Sequence, residues 1–204
     1  MSLLLLGLVL FLGCHSVRVF AEDWRTNIQL RLGEKMYKGV YSLASIVGFV
    51  LIVYGFSVVR MDSPMLWLPP VAMRHVASLL MLLSMILLVA AHVPHNAIKD
   101  RLHHPMVLSV KVWALAHLLA NGRLVDAILF GAFLVWAVLV FRAARQRDRV
   151  VEDLVPASDE LEQVATPTTM KVMVIGALVW AVLLLGGHAW LFGVSPVGLG
   201  FTGL

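Results

Sequence analysis

The stretch that decides the fold is MVLSVKVWALAHLLA (106–120), Asn121-Gly122-Arg123, then LVDAILFGAFLVWAVLVF (124–141). Two apolar runs meet at an Asn-Gly pair, a strong turn signal. A helix needs roughly 20 apolar residues to cross a hydrocarbon core. The second run approaches that length and the first is shorter, so the pair reads as a tight hairpin of membrane helices. Four further apolar runs flank it, at Leu3–Phe20, Val40–Val59, Val71–Ala91 and Met170–Phe192. The predicted fold is all-α: a polytopic integral membrane bundle of about six transmembrane helices. No internal repeat is visible, so an inverted-repeat transporter is not supported.

Composition agrees. The 204 residues are 60% hydrophobic and 14% charged, with a mean hydropathy of +0.90. Soluble domains run nearer about 45–50% apolar and about 25% charged. The chain reads as one membrane domain over 1–204, with no room for a sizeable soluble one. Met1 to Gly13 lacks a basic n-region, and no clear small-x-small cleavage site follows. It therefore reads as the start of a retained first span. The lone Cys14 excludes an intramolecular disulfide and a cysteine-based metal cluster.

The net charge of +4 does not point to nucleic acid, because the basic residues sit in loops. The first loop carries Arg18, Arg25, Arg31, Lys35 and Lys38, and the third carries Lys99 and Arg101. The fifth carries Arg142, Arg145, Arg147 and Arg149, with Lys171 at its far end. The second and fourth carry only Arg60 and Arg123. Positive charge marks cytoplasmic loops, so odd loops are expected inside and both termini outside. Residues 142–169 read as a solvated, mobile cytoplasmic loop. The bilayer is the expected partner, with a lipophilic small molecule or a redox partner beside it.

Ionisable groups are costly in lipid and are functional suspects there. Eight histidines is a high number for such a chain. His15 falls toward the inner half of the first span. His117 and His188 fall toward the outer ends of the fourth and sixth, and His75 near the outer end of the third. His92, His95, His103 and His104 cluster at the inner interface, where a solvated or snorkelling side chain is the simpler reading. Along one straight helix His104 and His117 are about 20 Å apart, at 1.5 Å per residue, so the two cannot share an iron from it. No HExxH spacing indicates a zinc hydrolase, and Pro94 interrupts His92 and His95. Lys111 is placed to snorkel to the inner face. Asp126 is expected to pair with Arg123 at helical spacing. Met73, Met81 and Met85 read as packing. No catalytic residue is assigned.

Several segments, in order, carry a family resemblance. They are Leu12-Gly13-Cys14-His15-Ser16-Val17-Arg18, Leu32-Gly33-Glu34-Lys35, Tyr41-Ser42-Leu43, Pro94 with Asn96, and His104-Pro105. Trp113, Ala116 to Gly122, Phe130-Gly131 and His188-Ala189-Trp190-Leu191-Phe192-Gly193-Val194 follow. Over nearly its whole length the chain resembles the NnrU family of bacterial membrane proteins. That family is named for genes linked to nitrite and nitric oxide metabolism, and the haem b protein 15-cis-zeta-carotene isomerase is a relative. The resemblance implies the bacterial cytoplasmic membrane, a haem b cofactor, and either a role in denitrification or a redox-gated isomerisation of a lipophilic substrate. It implies His15 and His117 as the axial metal ligands, with His104 as an alternative cofactor-binding residue. Depth alone sets His15 about 6 Å below the midplane and His117 about 6 Å above it, which favours His15 with inner histidines such as His104. The chain departs from the family at His103, where an arginine is usual, and at Arg123, where an acidic residue is expected. Two other readings remain. One is a non-catalytic accessory protein whose histidines only join helices. The other is a distant likeness to membrane methyltransferases, with Arg101, His103 and His104 meeting the S-adenosylmethionine carboxylate.

Overall fold

The computed structural model describes residues 1–154 and 166–196. Among them the regular structure is helical: α1 (Ser2–Phe20), α2 (Glu22–Leu32), α3 (Glu34–Val59), α4 (Val71–His92), α5 (Ala97–Leu102), α6 (Pro105–Ala120), α7 (Leu124–Leu154), α8 (Thr166–Val182) and α9 (His188–Phe192). A π turn, Leu183–Gly187, joins α8 to α9. Five segments are long and apolar enough to cross a membrane: α1, α3, α4, residues Leu124–Val150, and residues Pro167–Phe192. The sixth apolar helix, α6, has 16 residues and rises about 24 Å. It is shorter than the hydrocarbon core is thick. It packs between α4 and α7, so protein covers much of it.

The helices pack in the order α3, α1, α7, α6, α4, α8. Lipid tails are as apolar as leucine, so close packing and hydrogen bonds hold such contacts rather than hydrophobicity. Where α1 meets α3, a Cβ on Gly48 would lie 2.8 Å from the Phe11 nitrogen, and one on Gly55 would overlap the Leu4 backbone. Between α4 and α6 the buried Ser84 and Ser109 hydroxyls each donate to the other's carbonyl at 2.9 Å. Ala90 and Ala116, both fully buried, keep the helices close. Trp180 of α8 donates its Nε1–H to Ser78 O of α4 at 2.8 Å. Leu4, Leu8, Ile52, Ala114, Val125, Leu129 and Phe130 form the core where α1, α3, α6 and α7 converge.

The Asn121-Gly122 turn joins α6 to α7 as the sequence predicts, and it is clamped by the segment before α4. Leu66 N–H donates to Gly122 O at 2.7 Å, and Leu124 N–H to Pro64 O at 2.9 Å. The Arg123 guanidinium donates to Met61 O and Ser63 O at 3.0 and 2.9 Å. Asp126 does meet Arg123, but through the backbone: Arg123 N–H donates to Asp126 Oδ2 at 3.3 Å. A carboxylate in the first turn thus serves an otherwise unpaired amide.

Three segments depart from the sequence reading. The stretch 142–169 was expected as a mobile loop; residues 142–154 instead continue α7 to Leu154 and residues 166–169 open α8, while residues 155–165 lie outside the described residues. Residues 142–154 contain no Gly or Pro, and Arg145 pairs with Asp148 one turn on, at 3.2 Å. The first loop holds α2, with Glu22 and Asp23 in its first turn and Arg31 in its last, as the helix dipole favours. The last span is interrupted at the π turn rather than continuous from Met170 to Phe192.

Candidate functional site

His15 stands one turn above the end of α1, at the end of the bundle that carries Arg18, Lys99, Arg101 and Arg142 (the basic end). Its Nδ1–H donates to Phe11 O at 2.7 Å, four residues back. That bond fixes the tautomer and leaves Nε2 as the basic nitrogen, the arrangement seen in metal-ligating histidines. The ring lies 4.3 Å from Phe11, 5.5 Å from Tyr41 and edge-on to Trp136 at 6.3 Å.

His15 lines a cavity of about 630 Å³ together with Arg18, His103, His104, Arg147 and Asp148. His104 precedes the first turn of α6, and its Nε2 sits 2.9 Å from Asp148 Oδ2. Asp148 also accepts from Arg145 at 3.2 Å, so this nitrogen of His104 is already committed. His103 adopts a positive φ of 60°, a strained backbone for a non-glycine residue at the lip of the cavity. Arg101 is not among the lining residues, and the methyltransferase reading loses one of its three groups.

His117 lies near the other end of α6. Its Nδ1–H donates to Trp113 O at 2.9 Å, which again leaves Nε2 basic. Phe130 stacks on its ring at 4.5 Å, and Trp113 stands 5.1 Å away. The ring of His188, at the start of α9, comes to 6.4 Å with the planes 30° apart. His188 is fixed in the same way, donating from Nδ1 to Val194 O at 2.7 Å.

The structure therefore brings His15 and His104 to one cavity and His117 to a separate aromatic group. Phe133 bridges the two, 6.0 Å from Phe11 and 5.4 Å from Trp113. Lys111 sets its Nζ 5.8 Å from the Phe141 ring, and His75 is exposed. His92 donates from Nδ1 to Leu88 O at 2.9 Å. Among the described residues no three His, Cys, Asp or Glu side chains gather to hold a bare metal ion. A haem iron asks for less, since the porphyrin supplies four nitrogens and the protein only axial ligands. Histidines with Nδ1 anchored and Nε2 basic fit that demand. Sequence reasoning missed two features: Asp148 as the partner of His104, and His188 facing His117. Neither follows from spacing, although depth had already set His117 and His188 toward the same side.

The family model described as NnrU protein matches residues 3–196. No curated protein and no solved structure matches the chain.

Proposed function

The chain belongs to the NnrU family over nearly its whole length, and on that premise we propose that it is a haem b protein of the bacterial cytoplasmic membrane. His117 would hold the haem through its iron. The protein serves nitrite and nitric oxide metabolism, or a redox-gated isomerisation of a lipophilic substrate. The observation that carries this reading is the state of His117: half-buried on the apolar helix α6, walled by Trp113 and Phe130, with Nδ1 committed to Trp113 O. A buried imidazole in lipid is costly without a partner for its second nitrogen, and a metal is such a partner. When bound, haem iron supplies one-electron chemistry and a coordination site for small ligands. The chain's own part is to orient the imidazole, keep water from it with aromatic walls, and hold its proton on Nδ1. His15 is fixed in the same manner and is the residue that the family resemblance names beside His117.

The test is the visible spectrum of protein made with ample haem supply. A Soret band with about one haem b per chain is expected, and His117→Ala should lose most of it. Colourless wild-type protein would overturn the reading in favour of an accessory protein, whose histidines supply interhelical hydrogen bonds averaging about 0.6 kcal/mol. A His117→Ala variant with unchanged haem content and spectrum would remove His117 from the site.

A further inference from the structure

We propose that the connection from α3 to α4, residues 60–70, is a wedge seated in the bilayer interface, where residues 65–68 meet the acyl chains of the surrounding lipid. Depth supplies the first argument. Arg101, His103 and His104 hold the start of α6 at the basic interface, and its 16 residues carry the helix about 24 Å. A hydrocarbon core about 30 Å thick leaves the α6–α7 turn about 6 Å short of the far edge. The connection is tied to that turn. Leu66 N–H and Trp67 N–H donate to Gly122 O at 2.7 and 3.3 Å, and Leu124 N–H to Pro64 O at 2.9 Å. Residues 64–67 therefore share the depth of Gly122. A Cβ on Gly122 would overlap the Trp67 carbonyl, so the wedge is seated tightly on the hairpin.

Chemistry supplies the second argument. Irregular backbone survives at membrane depth only where its polar groups are paired. Here the Arg123 guanidinium covers Met61 O and Ser63 O, at 3.0 and 2.9 Å, and Ser63 Oγ accepts from Val125 N–H at 3.0 Å. Pro64, Pro69 and Pro70 bring no N–H to satisfy. The apolar side chains face outward: Leu68 is 81% exposed, Leu66 53%, Met65 49% and Trp67 39%. A contiguous apolar surface of this kind marks an interaction site. It continues the lipid-facing surface of the bundle, since Val58 near the end of α3 and Val71 at the start of α4 are exposed as well. Tryptophan favours the interface itself. Arg60 and Asp62 before the run, and the exposed Arg74 one turn into α4, keep its ends among the headgroups, which makes the wedge shallow.

The test does not depend on the haem reading. A nitroxide is attached at Leu68→Cys in a Cys14→Ala background, and the full chain is reconstituted in vesicles of phosphatidylcholine and phosphatidylglycerol. Electron paramagnetic resonance then reads collision with oxygen, which concentrates in lipid, and with a neutral nickel chelate, which stays in water. Val53→Cys, on an exposed apolar position of α3, gives the lipid reference, and Gln146→Cys, beyond the span on α7, gives the water reference. The label at 68 should collide with oxygen several-fold more, and with nickel several-fold less, than the label at 146. Nickel collision at the level of position 146 would overturn the proposal and return residues 60–70 to water. Low collision with both reagents would overturn it as well, because it marks a covering protein surface such as a second copy of the chain. If Leu68→Cys does not accumulate, Leu66→Cys on the same run decides by the same readings.

Discussion

At the residue scale, the histidines differ in what their nitrogens already do. His15, His117 and His188 each spend Nδ1 on a carbonyl, whereas His104 spends Nε2 on Asp148. Spectral sensitivity should follow this division. Replacing His104 with alanine is expected to leave haem content and spin state unchanged, and a high-spin shift in that variant would put the iron in the basic-end cavity instead. Stability turns on a different residue. A Cβ on Gly122 would overlap the Trp67 carbonyl, and backbone cannot move aside as a flexible side chain can. Gly122→Ala is expected to cost about 1–3 kcal/mol, the usual penalty for overpacking. Thermal unfolding in detergent measures it, and an unchanged midpoint would show that the clamp on the α6–α7 turn is loose. The Asn-Gly turn was legible in the sequence. The segment that clamps it was not, because its contacts run from Met61, Ser63, Pro64 and Leu66 to residues distant in the chain.

At the scale of elements, α1 and α3 touch through glycine, and the contact has no slack. Gly48 sits with its hydrogen where a methyl would press on Phe11 at 2.8 Å. Gly48→Leu is expected to separate the helices or unfold the pair, seen as lower yield of monodisperse protein and a lower melting temperature. Full retention of both would mean that α1 and α3 are held from elsewhere. The π turn is the other element with a consequence. Gly186→Ala puts a side chain at φ +153°, which L residues rarely adopt. The variant is expected to straighten or destabilise the join of α8 to α9, seen as a lower melting temperature in detergent. The unbroken apolar run Met170–Phe192 concealed this join, since hydropathy measures length and polarity but not local winding. Helix α7 was misread beyond Phe141 for a related reason. Charge says that Arg142 onward leaves the membrane, but it does not say that the helix stops there.

At the scale of the whole molecule, alternating basic loops set the expected orientation, with residue 146 inside and residue 204 outside. Reporter fusions at Gln146 and Leu204 check it; a cytoplasmic signal from both would remove the single crossing that the last span makes between them. The number of apolar helices and their boundaries, to within a residue or two for α4 and α6, were determined by the sequence alone. The physical reason is that hydrocarbon demands a run of apolar side chains in every helix that crosses it, and that demand is written locally. Which histidines face one another was decided only by tertiary structure. His15 meets the cavity with His103 and His104, and His117 meets His188, because α1 and α6 both pack on α7 and a π turn sets His188 beside α6. Those are contacts between residues far apart in sequence, carried by glycine close approach and interhelical hydrogen bonds. Neither leaves a periodic trace in a single chain.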